Sequence, residues 1–169
     1  EKGRHWRSAL QFLGSLGQLG LEPDIVAYGA AINACAKGHR WEPALQLLLE
    51  ICQSGLELNA IVYNATISAC ERGRQWDAAL GILGQMREHG LRPTTASYNA
   101  AISACELSRT WRPALGLLEA MRRERLEADL ITYNVLIGTF AASHSWDLAL
   151  GLLHGLRPRG LAPSSSSCT

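Results

Sequence analysis

The feature that most constrains this chain is a repeat of 35 residues. All five tryptophans and all four tyrosines keep this spacing: Trp6, Trp41, Trp76, Trp111 and Trp146, then Tyr28, Tyr63, Tyr98 and Tyr133. No residue is inserted or lost between the copies. Self-similarity at a fixed period of this length indicates a repeat architecture, in which one small unit stacks on the next to bury its apolar face.

Each repeat carries the pattern of two helices. In one copy the first set of helically spaced apolar residues is Tyr63, Ile67 and Cys70. The second set is Trp76, Ala79, Leu80, Leu83 and Met86. Gly73 and Arg74 interrupt the pattern between the two sets, and Gly90 is suited to a left-handed cap at the end of the second. The repeat is therefore predicted to be a helical hairpin.

We divide the chain into one partial repeat, four full repeats and a short tail. Residues 1–24 are interpreted as the second helix and turn of a partial repeat, and residues 165–169 as a frayed tail after Pro158 shortens the last helix. The full repeats are predicted at 25–59, 60–94, 95–129 and 130–164. This organisation predicts an all-α fold, a right-handed α-solenoid of stacked helical hairpins. A single compact bundle is the alternative, which the constant period disfavours.

Three other residue types follow the same step. The glycines Gly81, Gly116 and Gly151 fall inside the second helices, where glycine costs roughly 1 kcal/mol relative to alanine. Their recurrence suggests close helix contact, or a position tolerated because packing dominates. We interpret the tryptophans as packing residues. Cys35, Cys70 and Cys105 lie one repeat apart and lack metal-ligand spacing, so they are interpreted as buried small residues.

Composition limits the possible functions. Hydrophobic residues make up 47% and charged residues 18%, which suits a buried core, and the formal net charge of +1 gives no support to nucleic-acid binding. The sequence has no apolar run of transmembrane length, no glycine-rich phosphate loop and no catalytic spacing of histidine and cysteine. We therefore expect no enzyme, no cofactor, no metal and no membrane partner. The chain opens at Glu1, and we expect it to be a piece of a longer protein.

Two rows of polar or small residues recur at the start of the first helices. One row follows the tyrosine and consists of Gly29, Asn64, Asn99 and Asn134. The other precedes each repeat and consists of Asp24, Asn59, Thr94 and Asp129, with Ser164 closing the last repeat. Helix capping explains the second row, but it does not explain an amide immediately after the tyrosine. If the first helices line one surface, the two rows would be presented there in pairs.

These residues resemble the P-type pentatricopeptide repeat family, over essentially the whole chain from Glu1 to Ser164. The family signatures "V-x-Y-N-x-x-I", "A-L-x-L-L" and "M-x-x-x-G-L-x-P" appear here, for example at Tyr63-Asn64, at Ala79-Leu80 and from Met86 to Pro93. The step of 35 residues favours this family over the tetratricopeptide family, which repeats at about 34 residues and binds peptides. Proteins of the pentatricopeptide family read RNA at one base per repeat.

The resemblance implies that two side chains per repeat read one base. The implied pairs are Gly29 with Asn59, Asn64 with Thr94, Asn99 with Asp129, and Asn134 with Ser164. The Asn/Asp pair resembles the family's uridine code, the Asn/Ser pair its cytidine code, and for the Asn/Thr pair we expect a pyrimidine. Gly29 has no side chain, so the first full repeat is expected to be non-specific. Because the family binds RNA in the parallel orientation, with the 5′ end at the N-terminal repeat, the implied target sequence is 5′-any-pyrimidine-U-C-3′.

The resemblance also implies contacts to the rest of the nucleotide. Apolar residues two positions before each tyrosine would sandwich the bases, and Ala96 is the weakest of them: Val26, Ile61, Ala96 and Ile131. Lys37 and Arg72 would contact phosphates, whereas Leu107 and Ala142 hold the corresponding positions in the later repeats. Basic residues beside the turn could compensate or could simply form a solvated turn: His39, Arg74, Arg109 and His144.

The sequence thus predicts a monomeric protein that binds single-stranded RNA, with a preference for pyrimidines. By family resemblance it would act in RNA processing, stability or translation in a mitochondrion or plastid. Two alternatives remain open. The same surface could hold a peptide as a protein-interaction scaffold, or the chain could be a structural spacer within a longer array whose other repeats read the bases.

Overall fold

A computed structural model describes residues 5–156, with side chains through Leu152. Every regular element in this range is an α-helix. The helices divide between two compact units, Glu1–Pro93 and Thr94–Thr169. Pro158, Ser164 and the predicted tail lie outside the described residues.

The described part of the N-terminal unit contains five helices. They are α1 (His5–Gln18), α2 (Ile25–Lys37), α3 (Trp41–Ser54), α4 (Ala60–Arg72) and α5 (Trp76–Glu88). Consecutive helices pack on each other, and α2 also packs side by side with α4. The first helices of adjacent hairpins are therefore neighbours, which is the stacking that the repeat predicts.

The C-terminal unit contains four described helices. They are α6 (Thr95–Leu107), α7 (Trp111–Arg123), α8 (Leu130–Ala142) and α9 (Trp146–Leu156). Its first helices α6 and α8 also lie side by side, and each packs against the second helix of its own hairpin. The all-α fold class of stacked helical hairpins is confirmed.

The residue before each first helix acts as its N-cap. The side chains of Asp24, Asn59, Thr94 and Asp129 accept hydrogen bonds from the backbone N–H three residues on, at 2.8, 3.0, 3.4 and 2.8 Å. Such caps satisfy amide groups that have no partner inside the helix, and losing one costs about 1 kcal/mol. The capping interpretation of this row is confirmed.

The turn inside each hairpin is the same in all four repeats. His39, Arg74, Arg109 and His144 adopt left-handed backbone conformations, with φ between 56° and 58°. The next residue donates its N–H to the carbonyl five residues back, at 2.8–3.0 Å. This is the Schellman arrangement that closes a helix C-terminus, here without glycine at the left-handed position.

The core lies between the two helices of each hairpin. Tyr63, Ile67 and Cys70 of α4 are fully buried, and so are Ala79 and Met86 of α5. The predicted apolar faces of both helices are therefore the faces that pack.

Tryptophans pack against the turn of the following hairpin in the N-terminal unit. The Trp6 ring lies against Gly38, and the Trp41 ring against Gly73. A Cβ at Gly73 would lie 2.9 Å from the Cβ of Trp41 and closer still to its indole ring. At Gly73 a side chain would have to displace the indole, whereas serine holds the corresponding position in the two later repeats, as Ser108 and Ser143. Trp146, in contrast, is mostly exposed.

The expected close helix contact at the recurring helical glycines is wrong. Gly81, Gly116 and Gly151 are exposed, and a Cβ built at each would meet no atom within 4 Å. These glycines face outward from the second helices, so nothing approaches them closely. The alternative, a position tolerated because packing elsewhere stabilises the helix, fits their surroundings.

Candidate nucleic-acid interface

Exposed aliphatic side chains mark the start of the first helices. Val26, Ile61 and Ile131 are 72, 74 and 61% exposed, and Ala96 at the same position is also exposed. Each is the second residue of its helix. Branched aliphatic residues are usually buried, and their repeated exposure at one position is typical of an interaction surface. The structure thus presents all four residues predicted to sandwich bases.

Only half of the first predicted base-reading pair has a side chain. Gly29 lies in α2, and a Cβ built there would be 3.7 Å from a methyl group of Val62 on α4. Asn59 caps α4 by accepting from the backbone N–H of Val62. The structure therefore shows Asn59 as a capping residue, with no side chain on α2 to pair with it.

The third predicted pair is joined directly. The Asn99 Nδ2 on α6 donates a hydrogen bond of 3.2 Å to Asp129 Oδ1, the cap of α8. These residues are 30 positions apart in the sequence and meet because α6 and α8 lie side by side. The packing of neighbouring first helices has brought a predicted amide and carboxylate into one polar cluster.

A third side chain completes this cluster. The Thr132 hydroxyl lies 2.6 Å from Asn99 Oδ1 and 2.8 Å from Asp129 Oδ1. It also accepts the backbone N–H of Asp129 at 3.2 Å, which forms a capping box with the bond from the Thr132 N–H to Asp129. We call Asn99, Asp129 and Thr132 the polar triad.

The carboxyl of the triad is held in its ionised form. Burial raises the pKa of Asp129, but hydrogen bonds from the Thr132 backbone, the Thr132 hydroxyl and the Asn99 amide together lower it by more. The net result is a pKa below the usual range for aspartate. Asp129 is therefore a negatively charged acceptor at neutral pH.

The remaining predicted reading residues are less fully described. Asn64 on α4 and Asn134 on α8 are half-buried, one residue after the buried tyrosines Tyr63 and Tyr133. Thr94 caps α6 in a capping box with Ser97. Asn64 belongs to the N-terminal unit and Thr94 to the C-terminal unit. Ser164, the predicted partner of Asn134, lies outside the described residues.

The two predicted phosphate contacts share one groove. Lys37 and Arg72 are the last residues of α2 and α4, and both line an open groove of about 560 Å³ with His5 and Asn33. Two small apolar residues of α2, Ala30 and Ala34, also line it. Two exposed cations beside an amide can attract a phosphodiester backbone. Leu107 and Ala142 occupy the corresponding positions in the C-terminal unit, so the same positive pair is not repeated there.

The three cysteines that follow the repeat do not form a reactive site. Cys35, Cys70 and Cys105 are buried, as predicted, and burial raises the pKa of Cys70 to about 12 and that of Cys105 to about 11. Thiols with such values stay protonated at neutral pH and are poor nucleophiles. Among the side chains described, from residue 5 to residue 152, no cluster of three histidine, cysteine or acidic residues could hold a metal ion.

The described part of the chain contains no candidate membrane-spanning helix. None of its helices combines the length and the apolar character that crossing a bilayer requires.

Sequence reasoning missed Thr132 as a member of the candidate site. The residue before the tyrosine varies from repeat to repeat, as Ala27, Val62, Ser97 and Thr132. A hydroxyl in the last two copies, three residues after a capping residue, was the available signal because that spacing suits a capping box. The sequence did not indicate that this hydroxyl also contacts the neighbouring helix.

Family models match most of the described chain. The model of the pentatricopeptide repeat domain matches residues 46–107 and 102–143, and the model of the PPR repeat matches residues 26–56. The matched segments together run from residue 26 to residue 143, which is more than half of the chain. A comparison with curated proteins finds no match.

Solved structures of pentatricopeptide proteins share the fold. PPR10 from maize is 23% identical, with a TM-score of 0.76 over 98% of this chain and 24% of its own. PPR10 in complex with an 18-nt psaJ RNA element is 22% identical, with a TM-score of 0.74 over 92% of this chain and 23% of its own. The PPR domain of Arabidopsis thaliana protein-only RNase P 1, in complex with tRNA, is 14% identical, with a TM-score of 0.81 over 96% of this chain and 86% of its own.

This chain spans about a quarter of the length of the PPR10 chains that it resembles. At these identities the solved structures establish the shared fold of helical hairpins. The family models add the sequence pattern of each repeat, over a continuous run of residues. This chain therefore belongs to the pentatricopeptide repeat family.

Proposed function

We propose that this chain binds single-stranded RNA and selects bases at about one per repeat, with a preference for pyrimidines. The observation that carries the proposal is the polar triad, in which Asn99 and Asp129 from adjacent first helices are hydrogen-bonded to each other. An amide and a carboxylate together offer a donor and an acceptor, which can pair with the hydrogen-bonding edge of an unstacked base.

Neighbouring apolar residues support this role. Ile131 lies two residues after Asp129 and is 61% exposed, which leaves an aliphatic surface available beside the triad. Bases in single-stranded RNA gain free energy by stacking on apolar or aromatic side chains, whatever their identity. In our proposal Val26, Ile61, Ala96 and Ile131 hold the bases, and the polar pairs select among them.

The family and the RNA complexes of its solved members also support the proposal. The two structures in complex with RNA share the fold of this chain. By family resemblance we extend the proposal to an organellar role in RNA processing, stability or translation, in a mitochondrion or plastid. We propose that the chain acts as a monomer without catalysing a reaction itself.

Fluorescence anisotropy with labelled single-stranded RNA tests the proposal. The oligonucleotides carry the implied register 5′-any-pyrimidine-U-C-3′, the same sequence with adenine in place of U, and a DNA version. We expect the U-containing RNA to bind more tightly than the adenine version. Replacing Asp129 by alanine should reduce this preference by roughly five- to tenfold, which corresponds to the net free energy of about one hydrogen bond.

Asp24 provides a matched control for Asp129. Both aspartates cap a first helix, so Asp24→Ala and Asp129→Ala should each lower the free energy of unfolding by about 1 kcal/mol. Only Asp129 belongs to a predicted reading pair, so only its substitution should change the base preference. Equal loss in both variants would contradict base reading by Asp129. Binding of a peptide but of no RNA would instead favour the scaffold alternative.

A further inference from the structure

We propose that Thr132 is a positioning residue for base selection: its hydroxyl fixes the orientation of Asn99 and Asp129 so that the pair presents one donor and one acceptor to the RNA. This inference rests on the proposed function and assigns a role to a side chain outside the predicted reading pairs. It adds a third determinant of specificity to this repeat.

The position of Thr132 excludes direct contact with a ligand. Its side chain is fully buried in the third position of α8, while Asn99 is half-buried and Asp129 is exposed. Its hydroxyl lies 2.6 Å from the amide oxygen of Asn99 and 2.8 Å from Asp129 Oδ1. Thr132 can therefore influence a bound base only through these two residues.

The hydroxyl determines which way the Asn99 amide faces. A threonine hydroxyl carries one proton, and Asn99 Oδ1 at 2.6 Å and Asp129 Oδ1 at 2.8 Å share it as acceptors. The amide nitrogen then faces Asp129 Oδ1 at 3.2 Å. The reverse orientation would place the amide oxygen against the ionised carboxylate, where two acceptors repel each other. Thr132 and the charge of Asp129 thus favour the same orientation.

The fixed orientation defines what the pair offers to RNA. The triad uses one N–H of the Asn99 amide and one carboxylate oxygen of Asp129, so the second N–H and the other oxygen lie outside it. One donor beside one acceptor complements an edge that carries a carbonyl oxygen next to an N–H, as uracil does. Without the hydroxyl, the amide could rotate and present its oxygen instead.

The corresponding positions in the N-terminal unit lack a hydroxyl that orients a polar pair. Val62 holds the position of Thr132 and has no hydroxyl. Among the described contacts, the Asn59 side chain accepts only the backbone N–H of Val62. Gly29 holds the position of Asn99 and has no amide to orient. The hydroxyl therefore occurs where a complete reading pair is present and is missing where the pair is incomplete.

Three variants of the full chain test the inference. Thr132→Val removes the hydroxyl at nearly constant shape, and Thr132→Ser retains it. Thr139→Val is the matched control, since Thr139 is also buried in α8 but its hydroxyl donates 2.7 Å to the backbone oxygen of Val135. For each variant, fluorescence anisotropy gives two Kd values, one for RNA with adenine and one for RNA with uridine at the position assigned to the third full repeat. The ratio of the adenine Kd to the uridine Kd measures the base preference.

We expect Thr132→Val to lower that ratio roughly fivefold, in line with the loss of one hydrogen bond that orients Asn99. Thr132→Ser should stay within about twofold of the original chain, and Thr139→Val should leave the ratio unchanged. In two-dimensional NMR spectra the Asn99 side-chain amide signals should move in Thr132→Val and stay in place in Thr139→Val.

Distinct outcomes overturn the two proposals. If the original chain prefers uridine and Thr132→Val keeps that preference, the inference fails while the proposed function stands. Equal loss in Thr132→Val and Thr139→Val would show a general structural effect and would also overturn the inference. If the original chain binds none of the RNAs, the proposed function fails and the role of Thr132 in base selection fails with it. The NMR signals then report separately whether the hydroxyl holds the amide.

Discussion

At the scale of single residues, Asp129 combines two tasks. It caps α8 through the Thr132 N–H, and it accepts the amide of Asn99 from the neighbouring helix α6. The cap fixes the backbone that carries the carboxylate, so the side chain is held in place before any ligand arrives. A capping residue is thereby suited to recognition, because the order it needs for binding is already present in the folded chain.

Gly29 is the residue at which recognition is predicted to be incomplete. A Cβ at this position would make an ordinary contact of 3.7 Å with Val62, so a side chain can be accommodated there. We expect Gly29→Asn to fold with unchanged or slightly higher stability, because asparagine is a better helix former than glycine. It should also create a preference of roughly two- to tenfold among bases at the first full repeat, by adding a hydrogen-bonding group.

Anisotropy with RNAs that differ only at the base of this first repeat measures that preference. The original chain should bind the four RNAs alike. Gly29→Ala is the matched control, since it adds a Cβ without an amide. Its affinity should be the same for all four RNAs. A base preference already present in the original chain would contradict the expected non-specific repeat.

At the scale of helices and turns, the two kinds of glycine in a hairpin have opposite roles. Gly73 lies in the turn after α4, where the Trp41 ring occupies the space of a side chain. Gly81 lies in the exposed face of α5, where a Cβ would meet nothing. Glycine is therefore favoured by a close contact at Gly73 and merely tolerated at Gly81.

Substitution by alanine separates these two roles. We expect Gly81→Ala and Gly116→Ala each to raise the free energy of unfolding by roughly 0.5–1 kcal/mol, because alanine restricts the unfolded chain and favours the helix. Gly73→Ala should lower it by about 1–3 kcal/mol, since the methyl group would displace the indole of Trp41. Urea denaturation followed by circular dichroism measures all three. Destabilisation by Gly81→Ala would reveal a contact that the structure lacks.

At the scale of the whole molecule, the charge is nearly balanced at +1, so the attraction to RNA that we propose would have to come from local groups. Lys37 and Arg72 provide such a group, since both line one groove in the N-terminal unit. The C-terminal unit has leucine and alanine at the corresponding positions and carries the polar triad. In our proposal, attraction of the phosphates and the best-defined base selection are therefore concentrated in different units of the chain.

The salt dependence of RNA binding tests whether the charge acts locally. Lys37→Gln combined with Arg72→Gln removes two positive charges, which takes the formal net charge from +1 to −1. If both residues contact phosphates, the slope of log K against log salt concentration should fall by about 1.4, at roughly 0.7 per contact for single strands. Binding of all RNA sequences should weaken alike, because phosphate contacts carry no base information.

Arg122→Gln with Arg123→Gln is the control of equal charge. Both arginines are exposed at the end of α7, and Arg123 forms a surface ion pair of 3.7 Å with Glu119. This variant also has a net charge of −1, but it should leave the slope close to that of the original chain. Equal changes in both double variants would show that overall charge, and not the groove, governs the attraction.

Much of the fold could be predicted from the sequence because its determinants are local. The cap at Asn59, the buried Tyr63, the left-handed turn at Arg74 and the cap at Gly90 each reflect residues that are close in sequence. The recurrence of these signals every 35 residues then implied that the hairpins stack. The prediction of close helix contact was wrong for Gly81, Gly116 and Gly151. The sequence alone does not show whether a small residue faces a neighbouring helix or solvent.

The sequence by itself determined the helical hairpin, its period and its caps. Hydrogen bonds and backbone preferences that act over a few residues are sufficient for each of these features. Only the tertiary structure decided that Thr132 joins Asn99 and Asp129, and that Lys37 and Arg72 share one groove. Contacts between side chains about 30 residues apart depend on how neighbouring helices pack, and a hydrogen bond forms only where that packing brings its atoms within about 3 Å.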